Sequence, residues 1–359
     1  MDTKIITMHS GALHPDDAAY CGTVLREGGL VCFPTETVYG LGANAFRADS
    51  VRKIFTAKGR PADNPLIVHI SDLSMLDLVT DCGGMQRALL EQLGKQFWPG
   101  PFTMIASRDS AVPEAVSCGL DTVGIRFPSH PAAQAIIAAA GVPVAAPSAN
   151  LSGKPSPTEA AHVIEDMMGK VDVIIDGGSC RYGVESTVLD ITACPPSVLR
   201  PGAVTVEALR GIISEVCEYE WIGQPTEGGG FKPRSPGMKY RHYAPKAQVT
   251  IYGGDASAVT ARIRQEIHSA KSKSLSVGVL ATDETVCYYN NVAIVQSLGS
   301  RSDSLTQASR LFGCLRKFDE YGVDVVFVEA VPTSGVGDAV MNRLYRAAGG
   351  RLVEMRKAE

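Results

Sequence analysis

Leu30-Val31-Cys32-Phe33-Pro34-Thr35-Glu36-Thr37-Val38-Tyr39-Gly40-Leu41-Gly42 is the stretch from which the rest of the chain can be read. Leu30 to Phe33 is a short apolar run that reads as a strand. Pro34 stops it, because proline has no backbone N–H to give a ladder. The hydroxyls of Thr35 and Thr37 then project from the end of a sheet, where sites in open α/β sheets lie. Gly40 and Gly42 permit positive φ, or the close approach of another backbone or a ligand. The same residues also read as a plain strand-to-helix turn with ordinary cap residues.

Upstream, residues 15–28 read as a helix with Ala18, Ala19, Cys21, Gly22 and Leu25 on its inner stripe, ended by Gly28-Gly29. Downstream, Asp49 or Ser50 caps a short helix, Val51–Lys58, and residues 58–65 form a loop containing Pro61 and Pro65. Residues 66–70 alternate as a strand, with Leu66, Val68 and Ile70 on one face and Ile67 and His69 on the other. A helix follows at 85–97, and then strands at 102–107 and 122–127. In the second of these, Thr122, Gly124 and Arg126 share a face: a hydroxyl, a gap and a guanidinium, an unusual lining for a core. A helix at 131–140 leads into a strand at 142–146 and the polar loop Pro147-Ser148-Ala149-Asn150. Thr158 reads as the N-cap of the next helix, and strands at 171–176, 186–190 and 198–202 precede a helix at 205–216.

After residue 206 the composition changes. Gln224 to Lys246 is rich in Gly, Pro and basic residues and reads as a linker, whose second half, Ser235 to Pro245, carries cations and aromatics. From Gln248 strands at 248–252, 275–280, 292–296 and 323–330 alternate with helices at 256–270, 304–320 and 336–348, the signature of a small parallel sheet. The chain is therefore α/β in class.

Hydrophobic residues make up 45% and charged residues 20%, an ordinary globular balance. Net charge is −4, and residues 1–204 hold 15 Lys and Arg against 21 Asp and Glu, so bulk attraction for a phosphate backbone is absent. Nine scattered cysteines without a C-x-x-C pair fit reduced thiols in a cytoplasmic protein. The N-terminus lacks the pattern of a signal peptide, and no Cys/His spacing suggests a metal site.

No Walker A loop, G-x-G-x-x-G turn or G-x-S-x-G elbow is present. Lys58 and Arg60 flank a glycine, and Ser148 and Asn150 flank an alanine. Two fixed cations beside small donors can hold a polyanion, although the pair also reads as a solvated helix end. Arg126 can grip a ligand carboxylate or pair with an acid of the chain. Thr37, His69 and Ser186 would complete a small polar pocket around it.

Taken in order, Pro34 to Gly42, Lys58-x-Arg60, Asn64-Pro65-Leu66, Trp98-Pro99-Gly100-Pro101, Ser148-x-Asn150, Gly183-Val184-Glu185-Ser186-Thr187 and Leu199-Arg200-Pro201-Gly202 resemble the threonylcarbamoyl-AMP synthase family. Its catalytic module is the YrdC-type domain. Ser235 to Pro245 and the βα tail are similar to its longer branch, which has a C-terminal accessory domain, so the resemblance covers nearly the whole chain. It implies a YrdC-type twisted mixed sheet with helices around a concave site over residues 1–216. Residues 217–247 would be a linker acting as a lid over the site, and 248–359 a small Rossmann-like parallel α/β domain.

The resemblance also implies an activity. Members join L-threonine, bicarbonate or CO2 and ATP into L-threonylcarbamoyl-AMP, releasing pyrophosphate. A transferase complex then moves the threonylcarbamoyl group to adenosine 37 of tRNAs reading codons that start with A. By matching position to position, Thr37, His69, Arg126, the backbone at Ala146 and Ser186 would hold threonine, with Arg126 on its carboxylate. Lys58 and Arg60 would be catalytic and would hold ATP together with Asn64, Thr122, Ser148, Asn150, Ser156, Arg200 and Tyr243. Mg²⁺ would accompany the triphosphate, bound mainly by nucleotide oxygens and water. Such chemistry needs alignment and charge neutralisation and no protein nucleophile. The rival readings are an RNA-binding protein with a basic concave surface, a carbamoyl-transfer module for another acceptor, and a small-molecule sensor.

Overall fold

The apolar runs that Pro and Gly interrupt in the first part of the chain become ten short strands of one mixed sheet. The computed structural model describes residues 2–9, 11–218 and 243–355. By their contacts these divide into two units, with 153–155 and 243–355 in the second and the rest in the first. The linker and lid expected between 217 and 247 fall largely on residues 219–242, outside the described residues.

The first unit runs β1 (Lys4–Thr7), α1 (Pro15–Glu27), β2 (Val31–Phe33), β3 (Gly40–Asn44), α2 (Ala48–Lys58), β4 (Ile67–His69), α3 (Gly84–Phe97) and β5 (Phe102–Ser107). It continues through α4 (Glu114–Ser117), β6 (Thr122–Arg126), α5 (Pro131–Ala140), β7 (Val144–Ala145), α6 (Ala160–Met167), β8 (Val173–Asp176), β9 (Thr187–Asp190), β10 (Ser197–Arg200) and α7 (Val206–Arg210). Across the sheet the order is β1-β8-β2-β3-β7-β4-β6-β5-β9-β10.

Pairing register sets which side chains share a face. His69 lies opposite Val144 on one neighbour and Arg126 on the other, and Arg126 lies opposite Thr103. Val144 belongs to the core that Leu25 of α1 and Ile136 and Ile137 of α5 form over Val31, Phe33 and Ile175. The face covered by α1 and α5 therefore continues, under β4, β6 and β5, as His69, Arg126 and Thr103. On the opposite face Cys32, Leu41, Val68, Met104 and Ile125 pack with Ile54 of α2, Leu93 of α3 and Val163 of α6. Each large aliphatic side chain buried there stabilises the sheet by about 1.5–3 kcal/mol.

Four local readings change. The Gly40–Asn44 stretch is a strand, antiparallel to β2. Neither Gly40 nor Gly42 takes positive φ. A Cβ on Gly42 would lie 2.6 Å from the Phe33 ring and 2.9 Å from Val144 Cγ1, so this glycine makes room for core side chains and not for a ligand. Helix α2 begins at Ala48, after Arg47, which makes no side-chain cap bond, so neither Asp49 nor Ser50 is the cap. Helix α6 begins at Ala160, after Glu159; Thr158 is not its cap, and its carbonyl accepts from the Cys180 N–H at 2.9 Å instead of opening the helix. Helix α7 stops at Gly211 and is shorter than expected, although Thr205 caps it through the N–H of Ala208.

The second unit comprises β11 (Gln248–Gly254), α8 (Ala256–Ser272), β12 (Val277–Ala281), β13 (Ile294–Ser297), α9 (Ser304–Glu320), β14 (Val325–Glu329), α10 (Gly337–Ala347) and β15 (Leu352–Met355). Its sheet is all parallel, in the order β13-β12-β14-β11-β15. The α8 stripe Val259, Ile263 and Ile267 packs on Val277, Val279, Ala281 and Phe327. Strand β15 was not read from the sequence. Among the described residues no helix is long and apolar enough to cross a membrane.

Candidate active site

Pro34 ends β2 and the next residues close into a turn around one hydroxyl. Thr35 Oγ1 donates to the Val38 carbonyl at 2.6 Å and accepts from the N–H groups of Thr37 and Val38 at 3.2 and 3.3 Å. The Thr35 and Thr37 hydroxyls lie 2.8 Å apart. The turn is anchored from outside, where the Tyr182 N–H donates to the Glu36 carbonyl at 2.8 Å and the Tyr39 hydroxyl donates to the Gly178 carbonyl at 2.7 Å. Burial pushes the Tyr39 phenol above its ordinary range, so it remains a donor.

The face of β6 meets this turn through a buried ion pair. Arg126 Nη2 donates to Glu36 Oε1 at 2.6 Å, with both side chains about 5% exposed, and Glu36 Oε2 accepts from the Ser129 N–H at 3.0 Å. The same Nη2 lies 3.5 Å from Thr35 Oγ1. Arg126 Nε is buried with no hydrogen-bond partner. Buried donors are normally paired, so an unmet one on a buried cation fits a group that a ligand completes. His69, beside Arg126 in the sheet, has its pKa pushed down to about 3, first by burial and then by the Arg126 charge. It is a neutral ring whose Nδ1 lies 3.2 Å from the Ile67 carbonyl.

On the other side of Arg126, the Thr103 hydroxyl lies 2.8 Å from that of Ser186. Arg200 holds the same serine twice, with Nε donating to its carbonyl at 3.0 Å and Nη2 to its hydroxyl at 3.1 Å. This clamp needs a close passage of chains. A Cβ on Gly202 would lie 2.4 Å from the Thr187 nitrogen and 2.8 Å from the Glu185 carbonyl oxygen. Thr37, His69, Arg126 and Ser186 are thus joined through Thr35 and Thr103. The N–H of Ala146 is taken by the Ile67 carbonyl at 2.9 Å.

Lys58, the last residue of α2, is buried. Its Nζ donates to the carbonyls of Ser148 and Asn150, the latter at 2.6 Å, and lies 3.4 Å from Asn150 Oδ1. Ser148 Oγ donates to Asn150 Oδ1 at 2.5 Å. Lys58 of the first pair read from the sequence therefore meets both members of the second. Arg60 Nη2 donates to the Asn64 carbonyl at 2.9 Å and closes the loop after α2. The Asn64 amide is fully buried, and neither of its polar atoms has a partner. Ser156 Oγ donates to Glu185 Oε1 at 2.5 Å, and Thr122 lies four residues before Arg126 on the same strand face. Backbone bonds from Leu41 to Pro147, from Ala149 to Tyr39 and from Tyr39 to Pro157 lock the opening stretch against the Ser148 segment.

Tyr243 belongs to the second unit, where its ring stacks on Phe312 at 5.2 Å and the Arg343 guanidinium lies 5.9 Å from it. Sequence reasoning pointed to the Thr35 hydroxyl but gave no role to Glu36, Thr103 or Glu185. An acid between two threonines at a strand end is a signal that could have marked Glu36. Thr103 is visible only through its register with Arg126. Chemically, the arrangement offers a buried cation, a neutral imidazole and several hydroxyls for a small polar carboxylate, next to a lysine and an arginine suited to a polyanion.

Comparison with known proteins agrees over both units. A family model described as "Telomere recombination", covering Sua5, YciO and YrdC, matches residues 23–202, and one described as "Threonylcarbamoyl-AMP synthase, C-terminal domain" matches residues 204–349. Threonylcarbamoyl-AMP synthase of Bacillus subtilis is 47% identical over 93% of this chain and 94% of its own. That of Pyrococcus abyssi is 44% identical over 92% and 94%. The crystal structure of P. abyssi Sua5 complexed with L-threonine is similar with a TM-score of 0.90 and 41% identity, covering 99% of this chain and 100% of that one.

Proposed function

The chain belongs to the threonylcarbamoyl-AMP synthase family, and from that premise we propose that its first unit forms L-threonylcarbamoyl-AMP and pyrophosphate from L-threonine, bicarbonate or CO2, and ATP. The threonine amine adds to CO2 and loses a proton to give a carbamate. A carbamate oxygen then attacks the α-phosphorus, and the bond to the bridging oxygen of pyrophosphate breaks. The observation that carries this reading is Arg126: buried, held on Nη2 by Glu36, and left with an unmet Nε donor.

In this reading Arg126 takes the threonine carboxylate. A neutral His69 adds no positive charge to compete for it, and Thr37, Ser186 and the carbonyl of Ala146 position the amine and hydroxyl. Lys58 and Arg60 neutralise the phosphates, with Ser148, Asn150, Ser156, Asn64, Thr122 and Arg200 around them. The unmet amide of Asn64 supports a polar ligand beside Arg60. Mg²⁺ would enter on the triphosphate and withdraw charge from it. Among the described residues no three His, Cys, Asp or Glu side chains are grouped to hold a metal. Glu36 and Glu185 already accept from Arg126, Ser129 and Ser156, a donor set that suits an ion carried by nucleotide oxygens and water. The product would serve a cytoplasmic transferase that modifies tRNA.

Pyrophosphate release, measured with each substrate withheld in turn, tests the proposal. It requires dependence on ATP, threonine and bicarbonate together; release that continues without threonine contradicts it. Steeply salt-dependent RNA binding without turnover would favour the rival RNA-binding reading instead.

A further inference from the structure

The second unit has a crevice of its own. From β12 the chain leaves toward β13, whereas from β14 it leaves the opposite way, toward β15. The C-terminal ends of β12 and β14 thus bracket a topological switch point, the place where open parallel sheets bind ligands. A buried network is built there. Glu329, the last residue of β14, accepts from Thr285 Oγ1 at 2.6 Å, the Tyr289 hydroxyl at 2.7 Å and Arg301 Nη2 at 3.2 Å. It fixes the segment that follows β12.

Between that segment and the first turns of α8 lies a cavity of about 660 Å³, lined by Ser257, Thr260, Arg264, Glu284, Thr285 and Tyr288 over a floor of Ala256 and Ala261. Its size suits a small organic ligand. The hydroxyl protons of the wall are already committed. Ser257 Oγ donates to Asp255 Oδ1 at 2.5 Å, Thr260 Oγ1 to the Ala256 carbonyl at 2.8 Å, and Thr285 Oγ1 to Glu329. These hydroxyls therefore offer the cavity lone pairs only. Glu284 likewise only accepts, and it already holds Ser300 Oγ and the Arg301 N–H. A matching ligand must bring donors.

An anionic end has one place to go. The α8 N-terminus is closed to it, because Asp255 Oδ1 takes the N–H groups of Ser257 and Ala258. The preceding turn is closed too, since a Cβ on Gly254 would lie 2.2 Å from the Met355 carbonyl oxygen. Arg264 is exposed and makes no hydrogen bond or ion pair among the described residues. The Tyr288 ring, 52% exposed, offers a flat apolar surface.

We propose that this cavity binds a nucleoside monophosphate. The base lies on Tyr288, the sugar hydroxyls and base amino group donate to Ser257, Thr260 and Thr285, and the phosphate pairs with Arg264. The inference does not depend on the chemistry of the first unit. Equilibrium dialysis of the full chain with AMP tests it, with α,β-methylene-ATP and L-threonine saturating the first unit. One AMP should be retained per chain, and Arg264→Ala and Tyr288→Ala should each weaken retention by about tenfold or more. Adenosine should bind the wild type about as weakly as AMP binds Arg264→Ala. Both variants should keep the wild-type rate of pyrophosphate formation, which shows that they fold. No retained AMP, or equal retention by wild type and Arg264→Ala, overturns the proposal. Inorganic phosphate binding as tightly as AMP overturns the nucleoside assignment.

Discussion

Arg126 gives Nη2 to Glu36 and keeps an unmet Nε, so a substitution there must be judged on both sides of the guanidinium. Lysine is a point charge that can satisfy Glu36 or a ligand, not both in the fork geometry. Arg126→Lys is expected to raise KM for threonine by about tenfold or more while KM for ATP stays within about twofold. Steady-state pyrophosphate kinetics check this, and an unchanged threonine KM would remove Arg126 from the carboxylate. Arg126→Ala is the poorer test, because it strands a buried Glu36 at a cost of about 3–5 kcal/mol. His69 makes a pH prediction. Its folded pKa, about 3, lies below the ordinary value of 6.5, so the unfolded chain binds more protons between the two. Stability from this residue is present above about pH 6.5 and is lost as pH falls toward 3. Urea unfolding should show the wild type losing about 1–2 kcal/mol more than His69→Gln between pH 7 and 5. Equal losses would mean that His69 is not held neutral. Arg126 and Thr37 were legible because strand alternation and Pro34 place them. Glu36 was not, since its partner lies 90 residues away and the only local signal is an acid set between two threonines.

Gly42 shows what the elements demand of single positions. Its missing Cβ is the space into which Phe33 and Val144 pack, so Gly42→Ala overfills the sheet between β2 and β7. The expected cost is about 1–3 kcal/mol, seen as a lower urea midpoint, and Phe33→Leu in the same chain should recover part of it. An unchanged midpoint would show that the ring moves aside freely. Strand β3 escaped sequence reading for the same reason, because Gly40 and Gly42 erase the alternation that reveals a strand. Strands β4 to β6 and helices α1, α3 and α5 were legible, since their apolar periods are unbroken. The start of α6 is not legible, because Thr158 resembles a cap while its carbonyl is taken by Cys180, a partner distant in sequence.

Across the whole chain, the two units were legible from a change of composition and a restart of βα alternation after residue 247. The strand order of either sheet was not, because pairing between distant segments depends on three-dimensional packing. That order brings His69, Arg126 and Thr103 onto one face from three separate strands. It also places Glu329 between β12 and β11 in the second unit. The central claim is that the first unit makes a mixed anhydride from three small substrates. The direct measurement is mass spectrometry of the adenylate formed from ATP, L-threonine and isotopically labelled bicarbonate. Threonylcarbamoyl-AMP carrying the label in its carbamoyl carbon, formed together with pyrophosphate, is the predicted result. Pyrophosphate or AMP appearing without any labelled adenylate would contradict it.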